Sequence, residues 1–147
     1  MQKLERVLIL DFEGMLVEKF KNRIIVAKGS FSVLNPKDFV ELRDKNSTYR
    51  WINKGTKLRI LAYAQDFTNG MATGTTETPE KIIITGRLHE MLGGGILLKE
   101  QKENQRFIDK ILSSWKTILI SDCGIEEAEE KVLEQGDYIE IEVTILE

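Results

Sequence analysis

The sequence predicts one α+β domain spanning residues 1–147: a mostly antiparallel β-sheet with two C-terminal helices packed on one side. Three observations predict it. Over most of the chain, short apolar runs alternate with polar, Gly-containing turns, the pattern of strands. Between 102 and 136 the apolar spacing changes to that of helices. The chain has 147 residues, 41% hydrophobic and 31% charged, which is enough to bury a core without disulfides.

Arg6 to Phe12 carries four consecutive apolar residues, Val7 to Leu10, and reads as a central strand covered on both faces. Gly14 marks a bulge or turn. Met15–Glu18 and Arg23–Ala27 flank Lys19-Phe20-Lys21-Asn22 and predict a hairpin. Phe39–Leu42 is either a short strand or one helical turn. Tyr49–Ile52 and Lys57–Phe67 flank Asn53-Lys54-Gly55-Thr56, which predicts a second hairpin. In its second arm Leu58, Ile60, Ala62 and Ala64 share one face at period two. Thr68 to Pro79 is small and polar, a long loop. Lys81–Leu88 is a strand, and Gly93-Gly94-Gly95 a flexible joint.

In the last third, Phe107, Ile108, Ile111, Leu112 and Trp115 fall at helical spacing, predicting a helix over 102–115. Lys116–Ser121 is a strand. Asp122 caps a second helix with Ile125, Ala128 and Val132 on its buried face, and Gly136 ends it. Tyr138–Leu146 alternates, with Ile139, Ile141, Val143 and Ile145 on one side.

One cysteine, Cys123, excludes a disulfide framework, and one histidine, His89, excludes zinc chemistry built on several imidazoles. No stretch approaches the ~20 apolar residues that cross a bilayer, and the N-terminus lacks a signal-peptide core. The expected compartment is the cytoplasm, with no membrane partner. The Asn46-Ser47-Thr48 sequon carries no weight there.

The net charge of −3 hides a polarised layout. Lys19 to Arg59 holds eleven Lys or Arg against three Asp or Glu, a surplus of eight positive charges. Asp122 to Glu147 holds ten acidic residues against Lys131, a surplus of nine negative charges. The basic segment also carries Phe20, Phe31, Phe39, Tyr49 and Trp51. Cations neutralise phosphates while aromatic rings stack on bases, so this mixture suits single-stranded nucleic acid or another anionic ligand. The candidate binding residues are Tyr49, Arg50, Trp51, Lys54, Lys57 and Arg59. The same polarity also suits a charge-complementary homo-oligomer, and some of these aromatics can instead be core.

The run Val7 to Leu10 ends in Asp11, followed by Glu13 and Gly14, and Ile82-Ile83-Ile84 leads into Thr85-Gly86-Arg87. These stretches resemble the first and second motifs of haloacid-dehalogenase-type phosphatases. The resemblance implies a magnesium-dependent phosphohydrolase with Asp11 as nucleophile, Glu13 as acid, Thr85 as phosphate ligand and Asp122 as metal ligand. His89 could act as a base or pair with Cys123 at a helix start, but no third orienting residue stands out. The glycine clusters match no phosphate-loop fingerprint. The expectation is a non-enzymatic binding or assembly module using the basic–aromatic hairpin, without cofactor or metal. The phosphohydrolase is the alternative.

Overall fold

A computed structural model describes residues 6–28, 38–44, 46–66, 73–92, 95–99, 117–120 and 133–146. Nine strands lie in them: β1 (Val7–Phe20), β2 (Arg23–Ala27), β3 (Phe39–Asp44), β4 (Lys57–Gln65), β5 (Gly74–Glu77), β6 (Lys81–Leu92), β7 (Gly95–Lys99), β8 (Thr117–Ile120) and β9 (Tyr138–Leu146). Every pairing among them is antiparallel. The sheet runs β5-β6-β7-β8-β3-β2-β1-β4-β9, and β9 also pairs with β6. That last pairing closes eight strands, β6 through β9, into a barrel. β5 lies outside the ring, on the stretch of β6 that precedes its pairing with β7.

The α+β expectation is thereby corrected. Among the described residues there is no α-helix, and none is long and apolar enough to cross a membrane. The helix expected over 102–115 lies outside the described residues, as does the second expected helix up to 132. Where that second helix was to end, the backbone instead makes a turn at φ 95° on Gly136, whose N–H donates to the Leu88 carbonyl at 2.8 Å. The glycine serves entry into β9. Two further expectations change: Gly95 opens β7 rather than only a joint, and residues 74–77 of the expected long loop are β5. Of the two alternatives open for Phe39–Leu42, the structure has the strand.

Eight strands enclose an interior just wide enough for side chains to fill. Alternating sets from seven of its strands, β1, β2, β3, β4, β6, β7 and β9, line it among the described residues. Phe12 and Leu16, Ile24 and Val26, Val40 and Leu42, Leu58 through Ala64, Ile82 and Ile84, Ile96 and Leu98, and Ile139 through Val143 form one cluster. Each Leu, Ile or Phe withdrawn from water contributes about 1.5–3 kcal/mol. Closure also leaves the ring without an open edge, the usual template for aggregation.

β1 shows how one strand serves two neighbours. Residues 7–15 pair with β4 and residues 15–20 with β2, with register shifts between Leu8 and Leu10 and between Leu16 and Glu18. The first shift inserts an extra residue, so both Ile9 and Leu10 are buried while Leu8 stays exposed. The four-residue apolar run therefore reports a bulge, not a doubly covered strand. Gly14 does not interrupt β1. It stands in the inward series Phe12, Gly14, Leu16, where a Cβ would come 2.6 Å from the Ala27 carbonyl oxygen of β2.

Candidate functional site

The ends of β1, β3 and β9 and the starts of β2, β4 and β6 meet at one mouth of the barrel, as their registers require. Residues 46–56 cross this mouth as successive turns. The Ser47 N–H donates to the Asp44 carbonyl, Ile52 N–H to Tyr49 and Thr56 N–H to Asn53, each at 3.1 Å. The expected strand over Tyr49–Ile52 is absent, so the first arm of the basic–aromatic hairpin is a turn. The Asn53–Thr56 turn does lead into β4, with Gly55 at φ 91°.

This turn sorts the candidate residues. Tyr49 and Ile52 are both fully buried and join the barrel core. Tyr49 adopts a positive φ of 51°, and its hydroxyl donates to the Leu42 carbonyl at 3.3 Å. Its ring has no face for a ligand, which corrects its place among the binding residues. Arg50 and Trp51 are the two corner residues between these anchors and point outward. Trp51 is 40% exposed, and the Arg50 guanidinium lies 4.7 Å from its ring centre. An apolar–polar reading of the segment could not tell which aromatic was inside, because two buried residues three apart fit a turn and not a strand.

The turn is held from two sides. The Glu77 carboxylate of β5 accepts hydrogen bonds from Arg50 N–H at 2.7 Å and from the Ser47 hydroxyl at 3.2 Å. Asp44, fully buried at an inward position of β3, accepts from Asn46 N–H at 2.9 Å and the Thr75 hydroxyl at 2.6 Å. On the other side, Gly55 N–H donates to the Leu16 carbonyl at 2.8 Å, and the Leu16 N–H returns a bond to Thr56 at 2.9 Å. The Lys19 ammonium donates to the Ile52 carbonyl at 2.9 Å.

The remaining candidates divide. Lys54 is exposed and lies 3.3 Å from Glu18. Lys57 is exposed at the start of β4, opposite Met15 and Leu146. Arg59 makes paired bonds of 3.0 and 2.9 Å to Asp11, and these bonds hold the Asp11 carboxyl below its ordinary value. Around the wall, Arg6 pairs with Glu140, Lys81 with Glu142, and both Arg23 and Arg43 with Glu41. Among the described residues, four of the eleven cations between Lys19 and Arg59 thus stand against an acid: Arg23, Arg43, Lys54 and Arg59.

The residues of the phosphatase resemblance do not come together. Asp11 faces out from β1, and Thr85 lies on β6, separated by β4 and β9. Three strand spacings amount to about 14 Å. The Thr85 hydroxyl accepts from Gly74 N–H at 2.9 Å. Asp122 and Cys123 lie outside the described residues. His89 lies on β6, half-buried.

Fold and site together define a small closed antiparallel β-barrel with a cation–aromatic rim on one mouth. Comparison with family models, with curated proteins and with solved structures returns no match. Residues outside the set of candidate binding residues also contribute to this rim. They are Phe20 and Met15, both exposed, and Glu77, the anchor of the turn. Phe20 had one legible signal: an aromatic beside a hairpin tip, between Lys19, Lys21 and Arg23.

Proposed function

We propose that this chain is a non-enzymatic binding module that holds single-stranded nucleic acid on the rim built from Arg50, Trp51, Lys54 and Lys57. One observation carries the reading. An exposed tryptophan, backed by a guanidinium, sits at the corner of a turn whose flanking residues are locked in the core. Burial would be the favourable fate of that ring, and a base stacked on it would provide burial. Stacking of this kind is worth about 1–3 kcal/mol per base, and a pre-ordered turn loses little entropy on binding. Lys54 and Lys57 then lie beside the backbone phosphates. A cytoplasmic place of action goes with this reading, since a lone cysteine suits a reducing compartment.

The test is fluorescence anisotropy with a labelled oligothymidylate at low salt, alongside thermal melting. Trp51→Ala is expected to weaken binding about tenfold or more while leaving the melting temperature in place. The Lys54→Ala/Lys57→Ala double variant is expected to flatten the slope of log affinity against log salt by about 0.7 per lysine. A wild-type protein that ignores the oligonucleotide, or assembles with itself instead, overturns the reading. So does a Trp51→Ala protein that binds as well as wild type.

A further inference from the structure

We propose that Phe20 and Arg23, at the tip of the β1–β2 hairpin, form a second stacking platform for the same strand of nucleic acid. This extension rests on the reading of Trp51 given above.

Phe20 is 46% exposed, and the Arg23 guanidinium carbon lies 4.4 Å from its ring centre. The arrangement repeats that of Arg50 on Trp51. It is also held in place. Phe20, Arg23 and Arg43 are directly opposite one another across β1, β2 and β3. Two arginines side by side would repel, and Glu41 between them resolves the conflict, lying 2.6 Å from Arg23 and 3.3 Å from Arg43. Glu41 thereby fixes the guanidinium that backs the phenyl ring. Lys21, at the tip, is exposed and makes no salt bridge among the described residues.

The two platforms belong to one unit. The hairpin tip docks on the turn segment through Asn22, whose side-chain amide donates to the Ser47 carbonyl and whose own carbonyl accepts from Asp44 N–H at 3.0 Å. Lys19, next to Phe20, is bonded to the carbonyl of Ile52, next to Trp51. A strand stacked on Trp51 and running toward β1 therefore meets Phe20 next, with cations at both stations. Two exposed rings, each with its own stacked arginine, on segments tied together by hydrogen bonds, fit a linear anion that carries flat apolar groups. A simple phosphate would need neither ring.

The experiment measures affinity for an oligothymidylate of about twelve nucleotides, within the span such surfaces cover. Phe20→Ala is expected to lose about tenfold, Phe20→Tyr to restore the loss, and Phe20→Leu to leave it unrestored. A merely structural role would be met by leucine as well as by tyrosine. Ultraviolet cross-linking of a halogenated oligonucleotide is expected to mark the 18–23 peptide as well as the 50–57 peptide. If Trp51→Ala weakens binding but all three Phe20 variants bind as wild type, the second platform is wrong and the Trp51 reading stands. If the wild-type protein does not bind at all, both fail. Should Phe20→Ala melt early, the contrast between Phe20→Tyr and Phe20→Leu still decides the matter.

Discussion

Arg59 on β4 grips Asp11 on β1 through two parallel hydrogen bonds, from Nε at 3.0 Å and Nη2 at 2.9 Å. The pair joins neighbouring strands on the outer wall of the barrel. It also takes from the basic segment one of the cations that the sequence offers to a ligand. Hydrogen bonding to Arg59 is the largest influence lowering the Asp11 carboxyl. Partial burial opposes it, and the charges of Arg59 and Lys28 reinforce it.

The Asp11 titration follows from that pairing. A carboxyl depressed on folding adds stability above its unfolded value, and the contribution is lost as pH falls through the folded one. The carboxyl-carbon resonance of Asp11 is expected to titrate below 3.8 in the wild type. In Arg59→Gln it should move back toward that value. Arg59→Gln is also expected to weaken oligonucleotide binding less than Lys57→Ala does.

Tyr49→Phe removes the buried hydroxyl that donates to the Leu42 carbonyl at 3.3 Å. A loss of about 1 kcal/mol in urea unfolding is expected, with oligonucleotide affinity unchanged. Burial pushes the Tyr49 phenol well above its ordinary 10.0, and the charges of Asp44 and Glu77 push the same way. For a group raised on folding, stability is complete below the unfolded value and declines as pH climbs past it. The wild type should therefore lose stability above pH 10.0, and Tyr49→Phe should lose less over the same range.

Gly14→Ala places a methyl group 2.6 Å from the Ala27 carbonyl oxygen, where backbone, not a flexible side chain, must move. A cost of about 1–3 kcal/mol is expected. Hydrogen exchange should rise first along the β1–β2 pairing that starts at Met15 and Ala27. An unchanged unfolding midpoint would show that β2 can retreat without loss.

Thr75→Val deletes the hydroxyl bonded to the buried Asp44 carboxylate at 2.6 Å. Bonds to charged acceptors contribute about 1.5–3 kcal/mol, and a loss in that range is expected in urea unfolding. Asp44 Oδ1 also accepts from Asn46 N–H, so the variant should loosen the turn that carries Trp51. Faster quenching of Trp51 fluorescence by iodide, read in a Trp115→Phe background, checks this.

β4 and β9 were legible from residues alone. Leu58, Ile60, Ala62 and Ala64 alternate with outward residues, as do Ile139, Ile141 and Val143, and the observed burial follows both patterns. The hairpin around Lys19-Phe20-Lys21-Asn22 was legible from the two runs that flank it, although Lys19 and Phe20 prolong β1 and only Lys21 and Asn22 turn. β7 was not, because the glycines before it read as a joint. The rim was legible as a basic–aromatic composition, but not the sorting of Tyr49 inward and Trp51 outward. That sorting depends on a core to receive Tyr49.

Residue order alone shows which stretches alternate, where several turns fall, and that cations and aromatics crowd the segment from Lys19 to Arg59. Long-range pairing sets β9 between β4 and β6 and returns β8 to β3, closing the barrel. It also sets Arg59 against Asp11 and leaves Phe20 and Trp51 exposed on one rim. The physical reason is range. Alternation and turn chemistry act over a few neighbouring residues, whereas closure and ion pairing join residues tens of positions apart, whose meeting no local pattern encodes.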